Sequence, residues 1–152
     1  MTTTTLPVPP TPPTPSTPSY GPPISLALAK TVVARAEAEA IAQGWKMVIA
    51  VVNSSGHLVM LHKMDDVHYA AIQVAQDKAT TAVNFKRSTK GFEEAVAAGG
   101  AGLRLLSIAG LCPLEGGIPL LQNGCVIGAV GVSGVSSADD GRVAQLAADG
   151  VT

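Results

Sequence analysis

The sequence is poor in aromatic residues, with two phenylalanines, two tyrosines and one tryptophan among 152 residues. Its core must therefore consist mainly of Ala, Val, Leu and Ile, which favours close packing of the backbone. Basic clusters are also scarce: the chain has 10 basic and 11 acidic residues, and only Lys86, Arg87 and Lys90 lie near one another. Because nucleic-acid binding needs a basic face or stripe, we expect no nucleic-acid partner.

Cysteines and long apolar runs are scarce as well. Cys112 and Cys125 do not have the spacing of a zinc site, and nothing in the sequence supports a disulfide between them. The first basic residue is Lys30, so the N-terminal segment lacks the charged and apolar parts of a secretory signal. We therefore expect a cytoplasmic protein with reduced thiols. No uninterrupted run of about 18 apolar residues occurs, so no membrane span is predicted.

Residues 1–23 differ from the rest of the chain in composition. They contain nine of the eleven prolines and seven threonines, and Tyr20 is their one aromatic residue. Proline removes backbone donors and favours extended conformations, so this segment cannot build a core. We predict a Pro/Thr-rich disordered tail, or an arm that lies on a neighbouring subunit or serves as a proline-motif ligand, for residues 1–23. One folded domain is predicted for residues 24–152.

The first half of that domain shows helical and β patterns in turn. Apolar residues recur at helical spacing over residues 24–44, and Gly44 ends the pattern. Two β-rich runs follow at residues 46–53 and 57–63, joined by a short turn, and the first of them is apolar enough for a central strand. Two further helices are predicted at residues 70–85 and 88–98.

The second half is rich in glycine, with twelve of the sixteen glycines at or after Gly99. These glycines divide it into short apolar runs, which predict strands at residues 103–110, 118–122 and 125–134, and a final helix follows at residues 136–150. The order α-ββ-αα-βββ-α predicts an α/β (α+β) fold, in which helices flank a central antiparallel sheet of about five strands.

Three segments of the chain resemble one known family. They read AVVNSSGHLVMLHKMDD, QDKATTAVNF and EGGIPLLQNGCVIGAVGVSG. In this order they are similar to the GlcG/HbpS family of small heme-binding-like domains, which also forms the C-terminal part of some PduO-type corrinoid adenosyltransferases. The resemblance covers residues 24 to about 150 and none of the tail.

This resemblance implies a profilin-like fold and assembly into homo-oligomers, from dimers to octamers. It also implies heme or a related tetrapyrrole as the cofactor. Lys78 and Thr81 match the KAxTA motif of the family, in which a threonine contributes to the heme site of heme-binding relatives, and Gly116 and Gly117 match its glycine-rich turn. Where relatives commonly read RMDGA, this chain reads KMDDV, so that Asp66 stands in place of a glycine.

His68 and Glu115 are the candidates for chemistry. His68 follows two acidic residues just before a predicted helix, where an imidazole could bind iron or act as a general base. Glu115 adjoins the glycine turn, and the amides of Gly116 and Gly117, with Lys78, could hold an anion. Carboxylates and an imidazole are suitable metal ligands, but the sequence does not place Glu115 near His68, so the metal stays unknown.

Two hypotheses remain open from the sequence. The first is an oligomeric binding protein that holds heme or a related tetrapyrrole through Thr81, Lys78, His68, Gly116 and Gly117. The second is an enzyme of the isomerase, lyase or hydrolase type that uses the same cleft. In that enzyme, His68 or Glu115 would perform acid/base chemistry on a small carboxylated catabolic intermediate.

Overall fold

The computed structural model describes residues 16–151, so most of the predicted tail lies outside the described residues. Four α-helices and four strands, in the order α-ββ-αα-ββ-α, make up this part of the chain, with one 3₁₀-helix at Gly100–Ser107. The helices are α1 (Leu26–Gln43), α2 (Ala70–Phe85), α3 (Lys90–Ala97) and α4 (Ser137–Ala148). The strands are β1 (Val48–Asn53), β2 (Leu58–Lys63), β3 (Gly117–Gln122) and β4 (Cys125–Ser133). Within residues 16–151, no helix combines the length and apolar character needed to cross a membrane.

All the strand pairs are antiparallel, and the order in the sheet is β2-β1-β4-β3. Two hairpins, β1–β2 and β3–β4, form this sheet, and β1 pairs with β4 in its centre. The predicted α+β class with an antiparallel sheet and a central first strand is therefore confirmed. The described residues contain four strands, so the predicted count of about five is close but one too high.

The missing strand is the run predicted at residues 103–110, most of which belongs to the 3₁₀-helix. Gly99 and Gly100, at the start of this 3₁₀-helix, have φ angles of 71° and 57°, in the left-handed region that favours glycine. Leu103 and Leu106 are three residues apart and so lie on one side of the 3₁₀-helix, where both are exposed. A short apolar run does not by itself distinguish a buried strand from an exposed helical turn.

The sheet is covered on both faces, which explains why β1 is apolar from Val48 to Val52. Ile49 and Val51 of β1 pack with α1 and α4, whereas the alternate residues Val48, Ala50 and Val52 pack with α2. Successive side chains of a strand point to opposite faces, so a strand between two helical layers needs no polar face.

Asp66 lies in the turn between β2 and α2, where the family resemblance implies a glycine. Its φ of 65° falls in the left-handed region, which glycine adopts freely. Aspartate tolerates this region better than most other residues. The substitution is therefore compatible with the same turn.

The end of the predicted arm contacts the sheet. The Ser19 carbonyl accepts a hydrogen bond from Val126 N, and Gly21 N donates to the Val126 carbonyl, at 2.8 Å each. Tyr20 lies between them, and its hydroxyl donates to the Val83 carbonyl at the end of α2, at 2.9 Å. Residues 19–21 thus form a short strand-like contact with β4, while the boundary at residue 23 stays a prediction.

Helix α2 lies unusually close to β4 because both surfaces consist of small residues. A Cβ atom at Gly131 would overlap the Ala75 carbonyl oxygen and would lie 2.6 Å from Ala79 N. These are backbone atoms in the middle of a helix, so they cannot move aside without shifting the whole of α2.

The Gly131→Ala substitution is expected to lower the free energy of unfolding by about 3 kcal/mol, because the added methyl group forces α2 away from the sheet. Urea denaturation followed by circular dichroism measures this. Gly91→Ala is the matched control, since a Cβ atom there meets only the end of the Arg87 side chain. Equal unfolding free energies for the two variants would contradict the close packing of α2.

Candidate functional site

A buried ion pair between Lys78 and Asp140 lies where α2, the end of β4 and α4 meet. Lys78 Nζ donates to Asp140 Oδ2 at 2.8 Å and to the Val132 carbonyl at 3.0 Å, and both charged side chains are less than 5% exposed. The second oxygen of Asp140, Oδ1, accepts a hydrogen bond from Val135 N at 3.1 Å. Both charges are thus paired and hydrogen-bonded, which is the condition under which a protein interior tolerates them.

Burial raises the pKa of the Asp140 carboxyl above its usual value, and the positive charge of Lys78 opposes that rise. The pair therefore depends on both partners. Without the lysine, the carboxylate would remain buried with backbone hydrogen bonds but no opposite charge to offset its lost hydration.

The glycine turn before β3 lies directly against Lys78. Gly116 has a φ of 131°, and a Cβ atom there would lie 2.6 Å from the Val132 carbonyl oxygen and 2.9 Å from Lys78 Nζ. A Cβ atom at Gly117 would overlap the Lys78 carbonyl oxygen. The two glycines are therefore needed for the approach of the turn to α2.

These contacts change the interpretation of the glycines as anion holders. Both glycines are buried, and Gly117 N already donates to Thr89 Oγ1 at 2.9 Å. The ammonium of Lys78 points into the protein interior, towards Asp140. In this structure Lys78 and Gly117 make internal contacts that hold the fold, and their predicted contacts with a cofactor stay predictions.

Thr81 lies one helical turn beyond Lys78, and it holds a loop in place. Its hydroxyl accepts a hydrogen bond from Cys112 N at 2.9 Å and donates to the Gly110 carbonyl at 3.4 Å. The Thr81 residue itself is 1% exposed. Burial raises the pKa of the Cys112 thiol, which disfavours the thiolate, and both cysteines are free.

His68 is exposed just before α2, far from the other predicted site residues. From Ala70 to Thr81 the helix rises by about 16 Å, at about 1.5 Å per residue. His68 follows β2 and Glu115 precedes β3, and these are the two edge strands of the sheet. Three strand spacings separate the edges by about 14 Å. One chain therefore does not bring His68 together with Thr81 or with Glu115.

His68 and Glu115, each predicted as an alternative acid/base residue, therefore do not act together within one chain, and the enzyme hypothesis stays a prediction for either residue. Among residues 16–151, no group of three or more His, Cys, Asp and Glu residues is arranged to hold a metal ion. The set of Asp65, Asp66, His68 and Glu115 is accordingly not assembled into a metal site within the described part of one chain.

A set of exposed apolar side chains, missed by the sequence analysis, flanks in sequence the loop that Thr81 holds. We call it the leucine surface, and it consists of Leu103, Leu106, Ile108 and Leu114, which are between 39% and 63% exposed. The signal is present in the sequence as the apolar run at residues 103–110, which predicts a strand. Apolar side chains concentrated at the surface are typical of a binding site.

Comparison with known proteins identifies the family to which this chain belongs. Residues 24–149 match the family described as haem degrading protein, HbpS-like. The chain is 41% identical to protein GlcG of Escherichia coli K12 over 110 residues, which cover 72% of this chain and 81% of GlcG. This chain therefore belongs to the HbpS-like family, as the resemblance predicted.

Solved structures with the same fold agree with this assignment. Protein ORFY of Klebsiella pneumoniae superposes with a TM-score of 0.78 at 32% identity, covering 86% of this chain and 92% of ORFY. A PduOC:heme complex superposes with a TM-score of 0.77 at 25% identity, covering 86% of this chain and 96% of PduOC. The family is thus shown by sequence and by fold.

The Lys78→Met substitution is expected to lower the free energy of unfolding by about 3–5 kcal/mol near pH 7, because it leaves the Asp140 carboxylate buried and unpaired. Its carboxyl pKa, already raised, should rise further in the folded state. The folded state then binds this proton more tightly than the unfolded state, so the loss of stability should shrink as the pH falls towards about 5. Chemical denaturation at both pH values measures this.

The control is Lys30→Met, which removes an exposed lysine of α1. It should change the stability by less than about 0.5 kcal/mol at either pH. A Lys78→Met variant as stable as this control, or one whose deficit is independent of pH, would show that the buried pair is not coupled as described.

Proposed function

We propose that this chain is a tetrapyrrole-binding protein, with heme as its favoured ligand, and that it acts as a homo-oligomer. Family membership supports the proposal, and so does the similarity of its fold to the PduOC:heme complex. The single observation in this chain that carries it is the leucine surface beside the loop held by Thr81.

Heme is a flat and largely apolar macrocycle, so it binds where apolar side chains can be withdrawn from water. The four side chains of the leucine surface offer such a place, because they remain exposed in the single chain. Arg104 is exposed within the same segment and could pair with a propionate of the ligand. A macrocycle on this surface would be held by apolar contact in its centre and by charge at its edge.

Thr81 contributes to this site as a positioning residue. Its hydroxyl is used by the Cys112 amide and the Gly110 carbonyl, so it fixes the loop between the leucines rather than reaching a ligand. The threonine that the family resemblance places at the heme site would therefore act here through the loop.

The position of His68 supports the homo-oligomer. A neutral imidazole is a common ligand of heme iron. In one chain, however, the length of α2 separates His68 from the loop held by Thr81. A site that uses both residues needs two copies of the chain, with His68 supplied by one copy and the leucine surface by the other.

The leucine surface is tested by titrating hemin into the purified protein and following the Soret band. Leu106→Ser should weaken hemin binding by about tenfold or more, because it removes an apolar contact worth about 1.5–3 kcal/mol. Ile41→Ser on α1 is the matched control, since both side chains are 63% exposed. Equal loss of binding in the two variants, or unsaturable uptake by the wild type, would overturn the proposal.

Two further variants separate positioning from ligation. Thr81→Ala should weaken hemin binding while keeping the wild-type Soret maximum, and Thr81→Ser should restore the affinity because it keeps the hydroxyl. His68→Ala should instead shift the Soret maximum, because it removes the proposed iron ligand. An unchanged spectrum for His68→Ala would remove this residue from the site, and a monomer by light scattering would contradict the shared site.

A further inference from the structure

Gly141 lies in the middle of α4, where glycine is an unfavourable helix residue. The reason is visible in its surroundings. A Cβ atom at this position would overlap Cγ and Oε1 of Glu115, so the missing side chain leaves room for a carboxylate against the helix. Glycine at position 141 thus lowers the helix propensity of α4, and the Glu115 side chain occupies the space where a Cβ atom would otherwise lie.

The Glu115 carboxylate is recessed, with its side chain 18% exposed. The backbone of Glu115 is anchored, because its N–H donates to Glu93 Oε2 at 2.7 Å. Its carboxylate forms an ion pair with Lys90 Nζ at 3.7 Å, which is longer than a hydrogen bond. A partly buried carboxylate is stabilised by a strong donor, and this one has space in front of it for such a donor.

That space is a cleft of about 370 Å³, which we call the α4 cleft. It lies between α4, the start of α3 and the segment before β3, and its polar lining consists of Ser88, Lys90, Glu115, Arg142 and Gln145. Its volume lies at the lower end of the range for small-molecule sites. The α4 cleft includes no residue of the leucine surface, so it is separate from the proposed tetrapyrrole site.

The charges of the α4 cleft are arranged by depth. Glu115 is recessed, whereas Lys90 and Arg142 stand at the rim with side chains about 55% exposed. Arg142 already shares its charge with Glu39, at 3.0 Å between Nη2 and Oε1. With Glu93 also beside Glu115, the surroundings hold more acids than bases. A purely anionic ligand would add to that excess, whereas a ligand with an inward positive group would offset it.

We propose that the α4 cleft binds a small zwitterionic amino acid. Its ammonium group donates to the Glu115 carboxylate, and its carboxylate lies at the rim between Lys90 and Arg142. Such a ligand leaves the net charge of the cleft unchanged, and it supplies a donor within hydrogen-bond distance of the recessed carboxylate, which Lys90 at 3.7 Å does not. This site goes beyond the tetrapyrrole proposal and does not depend on it.

The test is a titration of the full-length chain, labelled with ¹⁵N, with L-alanine, L-serine and L-glutamine, followed by NMR. Saturable shifts are expected at the amides of Gly141 and Ile118, which line the cleft. Two close analogues of alanine serve as controls: L-lactate replaces the ammonium by a hydroxyl, and L-alaninamide removes the negative charge of the carboxylate. Both should bind at least tenfold more weakly than L-alanine.

The matched variants are Glu115→Gln and Glu94→Gln. Glu115→Gln should weaken amino-acid binding at least tenfold, whereas Glu94→Gln, on an exposed position of α3, should leave it unchanged. Gly141→Ala should also weaken binding, because the added methyl group displaces Glu115, and the same clash should lower the melting temperature. The double variant Gly141→Ala/Glu115→Ala removes the clash, so its melting temperature should recover while its amino-acid binding does not.

Three results would overturn the proposal. Lactate that binds as well as alanine would remove the ammonium contact from Glu115. A Glu115→Gln variant with wild-type affinity would place the ligand elsewhere. The absence of a saturable shift with all three amino acids would show that the α4 cleft is not an amino-acid site.

Discussion

The buried contact of Lys78 with Asp140 is the interaction on which the rest of this structure depends. It joins α2 to α4 through the end of β4, and these three elements are otherwise held by weak contacts between small side chains. Two opposite charges that are buried, paired and hydrogen-bonded require a defined geometry, whereas apolar contacts tolerate sliding. The pair therefore sets the position of α2 along the sheet. The glycines at 116, 117 and 131 are consequences of this position, because each gives space to α2.

The low aromatic content of the chain has the same origin. A helix that lies this close to a sheet leaves no room for rings, and the buried positions of α2 are mostly Ala, Val and Thr. Close approach gains dispersion contacts between backbones, but it also makes the interface intolerant of added volume. Phe92 and the partly buried Trp45 lie outside the contact between α2 and β4. The composition thus predicted the kind of packing, although not which elements pack in this way.

The fold could be predicted largely from the sequence, and the sites only in part. Periodicity and glycine placement gave the helices, the hairpins and the central position of β1, because these depend on local patterns. The buried role of Lys78 could not be predicted, since a lysine in a helix is usually solvated and its partner lies 62 residues away. The strand predicted at residues 103–110 failed because its leucines are exposed, and an apolar run gives no information on what will cover it. His68 and Glu115 were considered together as residue types, but the sheet order places them at opposite edges.

The two proposed sites, the leucine surface and the α4 cleft, have different linings, but both are built next to the buried cluster around Lys78 and Asp140. Thr81, which holds the loop beside the leucine surface, lies three residues after Lys78 on α2. Glu115 and Gly141, which form the recessed end of the α4 cleft, are each adjacent in sequence to a residue of the buried cluster, Gly116 and Asp140. Each site therefore rests on a rigid group of buried atoms, which is the arrangement that precise ligand binding requires. A change in the buried pair is transmitted to both sites, whereas a change in either lining affects one of them. A substitution that weakens binding at one site only therefore identifies a residue that contacts the ligand. A substitution that weakens binding at both sites identifies a residue of the buried cluster.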